Sequence, residues 1–291
     1  MRGGSSSLPG RISKQAFGNR PGVAAAVDAR GTHAALLLWE GPAMFFKDRL
    51  MSDDVLRGVV NVVPSAVVTQ AIAAGGADFV MIDREHGPVD RAAMHSMIAS
   101  TAGTACAPLV RVPSIDEAEV KAALDAGAEG IVYPLVQTSE DAERCVSLTA
   151  YPPTGTRGWG PFVAQSRFRT TLRDYATEVG PRVTCCLLLE TVEAIHNIEA
   201  ILDVPGIDFV VLAQFDLSTA LGVPGAFDSP VFKEAAATIE TAVAARGIPL
   251  GAAALTREQA SALVAKGYRV LFTGFDVLML KDQVASFANW G

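Results

Sequence analysis

The chain reads as an α/β protein built on a (β/α)8 TIM barrel. Short β-branched apolar runs alternate eight times with amphipathic segments of about 10–15 residues, the pattern of βα units around a parallel sheet. The alternation fills residues 44–291, a span usual for one barrel of roughly 250 residues. Several runs also end in charged or polar residues, and such barrels carry their chemistry at strand ends.

In chain order, Val59–Val63 gives the first strand, and Ser65 caps a helix over 65–75. Phe79–Asp83 is followed by a helix over 90–101, and Pro108–Val112 by one over 115–126. Gly130–Pro134 leads to a helix over 138–148 with Ser139 as a cap, and Thr184–Glu190 to one over 191–202. Phe209–Leu212, Pro249–Ala252 and Val270–Thr273 complete the sheet, with helices over 230–246, 256–266 and 276–288, the last opened by Asp276. Between the fourth helix and fifth strand lies Tyr151-Pro152-Pro153-Thr154-Gly155-Thr156-Arg157-Gly158-Trp159-Gly160-Pro161, too rich in Gly and Pro for a helix and long enough to suggest function.

Residues 1–43 stand apart: Arg2, Arg11, Lys14, Arg20 and Arg30 face only two acids, with little periodicity. They read as a disordered extension, an organelle transit peptide being the other reading. The chain is 291 residues long with a net charge of −7, and no basic cluster is interleaved with aromatics, which excludes a nucleic-acid face. Four cysteines (Cys106, Cys145, Cys185, Cys186) without C-x2-C spacing make no disulfide framework and fit a reducing, cytoplasmic compartment. The longest apolar runs, such as Ala34–Trp39, are too short for a membrane span, so a soluble protein without a membrane partner is expected.

Four strand ends carry the candidate chemistry: Asp83-Arg84-Glu85-His86, Arg111, Glu190, and Gln214-Phe215-Asp216. Glu190 and Asp216 on neighbouring strands offer two hard oxygen ligands, suited to Mg²⁺ or Mn²⁺, with Co²⁺ as a further candidate. Each is equally readable as a helix N-terminal acid favoured by the helix dipole. His86, beside Asp83 and Glu85, is placed to act as a general base, or to be a hydrogen-bonded surface group. Arg111 can steady a carboxylate or an enolate oxygen, form a buried salt bridge to Asp83 or Glu85, or do both. No lysine ends a strand (Lys14, Lys47, Lys121, Lys233, Lys266 and Lys281 lie elsewhere), which argues against a Schiff base. A dinucleotide fingerprint and a P-loop are both absent.

Six segments together resemble the HpcH/HpaI aldolase family, the metal-dependent class II pyruvate aldolases that act on 4-hydroxy-2-oxoheptanedioate and 2-keto-3-deoxy sugar acids. They are Phe79–Pro88, Leu109–Pro113, Ala123–Ala128, Tyr151–Gly158, Leu189-Glu190-Thr191 and Phe215-Asp216-Leu217-Ser218. The resemblance implies a carbon–carbon lyase that cleaves or forms a 4-hydroxy-2-oxo acid from pyruvate, or a related 2-oxo acid, and an aldehyde. A metal held by Glu190 and Asp216 would act as a Lewis acid and stabilise the enolate. It further implies that His86, paired with Asp125, moves protons, that Arg111 steadies the enolate and aldehyde oxygens, and that the chain forms a homo-oligomer, a hexamer with the last helix exchanged between subunits. Asp83, Glu85, Arg157, Trp159, Gln214 and Phe215 complete the expected substrate-binding set.

The chain departs from the family pattern in places. Leu188 replaces a common Gln, Val192 a common Arg, Ala213-Gln214 the usual Gly-Pro, and an aromatic of the first strand is replaced near Val60. Phe215 and Trp159 would narrow the pocket or favour a hydrophobic aldehyde. Two other functions remain open: a related metal-enolate lyase or synthase, of citramalyl-CoA or decarboxylating type, and a catalytically weak barrel that binds a 2-oxo acid.

Overall fold

Leu56 pairs with Val270, and that contact closes a sheet of eight parallel strands in chain order. The strands are β1 (Leu56–Asn61), β2 (Phe79–Asp83), β3 (Ala107–Arg111), β4 (Gly130–Tyr133), β5 (Thr184–Leu189), β6 (Phe209–Leu212), β7 (Leu250–Ala253) and β8 (Val270–Phe275). The structure is a computed structural model that describes residues 45–52 and 54–290. The extension expected over residues 1–43, with its two readings, lies outside the described residues.

All eight expected strands form, with ends shifted by a few residues. The largest shift is in β1, which starts at Leu56 because Leu56 and Arg57 pair with β8 and Gly58 pairs with both neighbours. Gly58 is required there: a Cβ would collide with the Phe79 ring, which fills the barrel interior.

The helices of the outer layer are α2 (Ala66–Ala74), α3 (Arg91–Ser100), α4 (Glu117–Ala126), α5 (Ser139–Thr149), α8 (Val192–His196), α9 (Ile198–Leu202), α11 (Pro230–Arg246), α12 (Arg257–Ala265) and α13 (Asp276–Ser286). The remaining helices are α1 (Phe46–Leu50), α6 (Ala164–Arg167), α7 (Tyr175–Glu178) and α10 (Gln214–Ala220). Side chains of Ser65, Asp90, Asp116, Thr138, Thr191, Ser229 and Thr256 cap the helices they precede. The cap of α5 is therefore Thr138 rather than Ser139, in a capping box with Asp141. The single helix expected over 191–202 breaks at Asn197, whose side chain donates to the Gln137 carbonyl oxygen at 2.9 Å.

Two apolar layers hold the barrel. One lies between strands and helices, from Ile82 and Val110 to Ile201 and Ile239. The other fills the barrel itself and includes Phe46 and Leu50 of α1, which stop the N-terminal end of the sheet. There the Phe46 ring meets Phe79 at 5.5 Å and Phe209 at 5.8 Å. The opposite end, where the strands finish, is left open for a site. Among the described residues no helix is long and apolar enough to cross a membrane.

Candidate active site

Asp83 and Arg111 end β2 and β3 and pair directly in the register of the sheet. Arg111 donates Nε to Asp83 Oδ1 at 3.0 Å and Nη2 to Oδ2 at 2.7 Å, a two-point fork, while its Nη1 lies 3.0 Å from Glu85 Oε2. Asp83 Oδ1 also accepts the main-chain N–H of Glu85 at 3.0 Å and of His86 at 3.2 Å. Asp83 is thus committed to Arg111 and to the turn that presents His86. Burial pulls the Arg111 pKa down, but the hydrogen bond to Asp83 and the charges of Asp83, Glu85 and Glu190 outweigh it and raise the pKa. The guanidinium stays charged.

The turn after β2 needs Gly87, because a Cβ there would strike the Asp83 carbonyl oxygen. His86 rises from this turn with a side chain 64% exposed and Nε2 3.8 Å from Glu85 Oε2. The Glu85 pKa is raised by burial against the lowering charges of Arg111 and His86, and Asp83 and Asp216 push it further up.

Glu190 follows β5 and is buried, with Oε1 accepting the Leu135 main-chain N–H at 2.6 Å. Burial pushes its pKa up to about 7; the Leu135 hydrogen bond opposes this, and the charges of Asp216 and Glu85 add to it. Leu135, which sequence reasoning passed over, holds the left-handed φ of 56°. Asp216 is not at a strand end but in the first turn of α10, one turn beyond β6, and β6 pairs with β5 through Leu212 and Leu189. The expected metal pair therefore shares one rim.

Asp216, Gln214 and Phe215 line an open cavity of ≈ 480 Å³ at this rim, together with Arg111 and apolar side chains of the barrel mouth. Phe215 is packed edge-on against Phe227, ring centroids 5.1 Å apart. Among the described residues no group of three or more His, Cys, Asp and Glu is placed to hold a metal. A site made of Glu190 and Asp216 alone would draw its other ligands from water and substrate, and the repulsion between the buried Glu190 carboxylate and the exposed Asp216 carboxylate is what a divalent cation relieves. The donor set fits a hard cation.

Three expected site residues lie elsewhere. Asp125 is in the last turn of α4, and α4 runs from the rim back to the N-terminal end, so within the chain Asp125 does not reach His86. It pairs instead with Arg157 at 3.1 Å. Arg157 is buried between the rings of Tyr151 (4.5 Å) and Tyr175 (5.6 Å) and does not line the cavity of the rim. Trp159 is half exposed and packs on Phe162. The Gly- and Pro-rich segment follows α5, and a helix-to-strand connection lies at the end of the barrel where strands begin. Arg157 and Trp159 are thus not substrate contacts within one chain. A residue read only as a cap, Asp276, accepts from Asn61 Nδ2 at 2.6 Å and from the N–H of Val62 and Val63 at 3.1 and 3.0 Å, fastening β1 to the root of α13.

The model of the HpcH/HpaI aldolase/citrate lyase family matches residues 63–282. The 2-keto-3-deoxy-L-rhamnonate aldolase of Escherichia coli K12 is 30% identical over 239 residues, covering 82% of this chain and 90% of that protein. A 2-dehydro-3,6-dideoxy-6-sulfogluconate aldolase of Pseudomonas putida is 32% identical over 222 residues, covering 75% and 86%. In structure, the chain is similar to an HpcH/HpaI aldolase from Desulfitobacterium hafniense DCB-2, with a TM-score of 0.79, 28% identity, and coverage of 85% of this chain and 96% of that one.

Proposed function

As the chain belongs to the HpcH/HpaI aldolase/citrate lyase family and is a class II aldolase, we propose that it cleaves or forms 4-hydroxy-2-oxo acids, with pyruvate or a related 2-oxo acid on one side and an aldehyde on the other. The observation that carries this reading is the placement of Glu190 and Asp216 on one rim, beside a cavity that Arg111 also lines. Glu190 and Asp216 would hold a divalent ion, Mg²⁺ or Mn²⁺ with Co²⁺ as a substitute, which when bound supplies Lewis acidity to the 2-oxo group.

Arg111, held in a fixed orientation by Asp83 and Glu85, places positive charge where oxygen becomes anionic. His86, exposed on the rim, exchanges the proton of the aldehyde-derived hydroxyl. If Asp125 supports His86, it does so from another copy of the chain, because within one copy they sit at opposite ends of the barrel. A homo-oligomer, hexameric by resemblance, has a physical motive in α13, which buries only Asp276 while Leu278, Met279, Leu280 and Val284 are exposed. The four described cysteines are free and buried, in keeping with a reducing cytoplasm.

The test is pyruvate release from a panel of 4-hydroxy-2-oxo acids, with and without chelator. Release that stops with chelator, returns with Mg²⁺ or Mn²⁺ and is lost in Glu190→Ala is expected. Release indifferent to chelator and to Glu190→Ala would overturn the reading.

A further inference from the structure

We infer that Arg157 is a positioning residue of the aldol reaction, acting from outside the rim: it holds Asp125 so that one carboxylate oxygen is offered to His86 of another copy, and Gly160 keeps that oxygen uncovered. The inference rests on the aldolase reading above, with His86 and Asp125 of one site drawn from different copies.

The Arg157 side chain is wholly buried between the rings of Tyr151 and Tyr175, which themselves meet edge to face at 6.5 Å. Its ionic partner is Asp125: Nη2 donates to Oδ1 at 3.1 Å, while Nε and Nη1 are buried and meet no acceptor among the described residues. A guanidinium with two unused N–H groups is a poor stabiliser of a fold, and an apolar side chain would fill the space between two rings at less cost in desolvation. What Arg157 supplies, and methionine or leucine cannot, is a fixed place for the Asp125 carboxylate.

The rest of that carboxylate faces outward. Asp125 is 26% exposed, and among the described residues its Oδ2 accepts no hydrogen bond. A Cβ on Gly160 would meet Oδ2 at 2.9 Å, with only Cγ of the same side chain also near, so any other residue at 160 would cover or displace this oxygen. Arg157 from within and Gly160 from without thus leave one anionic acceptor fixed and bare. His86 is its complement: its Nε2 is 3.8 Å from Glu85 Oε2, beyond a hydrogen bond, and among the described residues no bond orients the ring. A ring N–H bonded to Oδ2 fixes the orientation of the imidazole and settles which nitrogen is free to take a proton. In cleavage that nitrogen takes the hydroxyl proton on C4, the O–H pair becomes the aldehyde C=O, and the C3–C4 pair passes to the 2-oxo acid fragment. C3 then takes a proton, and no oxidant or reductant is needed.

The experiment measures pyruvate release by the full chain with Mn²⁺, from the 4-hydroxy-2-oxo acid of the panel that the wild-type chain cleaves fastest. Arg157→Met should lower kcat about 30- to 100-fold, the scale of a catalytic group misplaced by about an ångström, with KM changed by less than about threefold. Gly160→Ala leaves Arg157 untouched and should lower kcat about tenfold; it covers the case in which Arg157→Met does not fold. Co-expression then shows which copy feels the change. With His86→Ala, either variant should recover about a quarter of wild-type activity, because that share of sites takes an intact His86 from one chain and an intact Asp125 from the other. With Asp125→Ala, neither should rise above its own activity, because both lesions strike the same contributed carboxylate.

A structural role confined to its own barrel gives no recovery with His86→Ala; that result, or wild-type kcat in folded Arg157→Met, would overturn the inference. If His86→Ala and Asp125→Ala still complement each other, only the part assigned to Arg157 fails, and if they do not, the exchange between copies fails with it. No pyruvate release by the wild-type chain would overturn the aldolase reading itself.

Discussion

Leu135 and Glu190 are joined by a 2.6 Å hydrogen bond that leaves the main-chain N–H of a residue in the left-handed region, φ 56°, and ends on the carboxylate Oε1. That geometry occupies Oε1 of Glu190 and leaves Oε2 for the metal-holding role proposed above. A β-carbon in this region carries a cost of about 1–2 kcal/mol, and the Leu135 side chain is more than half exposed, so it recovers little by burial. Leu135→Gly should therefore keep the N–H and raise thermal stability by about 1 kcal/mol. Denaturant melts measure the gain, and Mn²⁺ affinity within threefold of wild type would agree with an unchanged N–H; a loss of stability would mean that the Leu135 side chain has a packing role.

The fork between Arg111 and Asp83 makes a second prediction. Lysine retains the charge but cannot make two parallel bonds to one carboxylate. Arg111→Lys should lower kcat by about 100-fold or more, the usual size for the loss of one oriented donor, with KM changing much less. Steady-state kinetics with a matched far-ultraviolet dichroism spectrum check it; a change confined to KM would place Arg111 in ground-state binding only.

The raised pKa of Glu190 makes the metal-free protein sensitive to pH. The buried carboxyl is favoured in its neutral form, so its contribution to stability is present in full below the unfolded value near 4.5 and is lost as pH rises through about 7. The difference corresponds to about 3 kcal/mol. In chelator, Glu190→Gln should melt close to wild type at pH 5 and above it at pH 8. Parallel melting curves of the two proteins across that range would exclude the effect.

The separation of His86 and Asp125 within a chain can be tested by mixing. His86→Ala and Asp125→Ala are each expected to be nearly inactive, but co-expression of the two should restore about a quarter of wild-type activity, because random assembly gives that share of sites both intact groups. No recovery in an assembled mixture would assign Asp125 to its pairing with Arg157 alone.

The rim was legible because its residues interrupt apolar runs: Asp83, Arg111 and Glu190 are charged groups where the strand pattern calls for another Val or Leu. Asp216 was found for the same reason, although α10 hides it one turn past β6. Arg157 and Trp159 were misplaced because richness in Gly and Pro reports a loop without saying at which end of the barrel it lies; that follows from the element before it, α5. Leu135 could not be found, since its contribution is a main-chain N–H that every non-proline residue possesses. Asp276 was seen but underestimated: its bonds reach residues more than 200 positions away in the chain, which no local pattern records.

The stopper of the barrel floor has a bearing on biosynthesis. Phe46 is translated early, whereas its neighbour Phe209 and the rim-closing strand with Phe272 emerge late. Until they do, an aromatic helix that belongs inside the barrel is left in water, where chaperones recognise such surfaces. The last strand to leave the ribosome thus both closes the sheet and releases the first helix from that exposure, so a chain shortened before β8 should be held by chaperones rather than accumulate as a partial barrel.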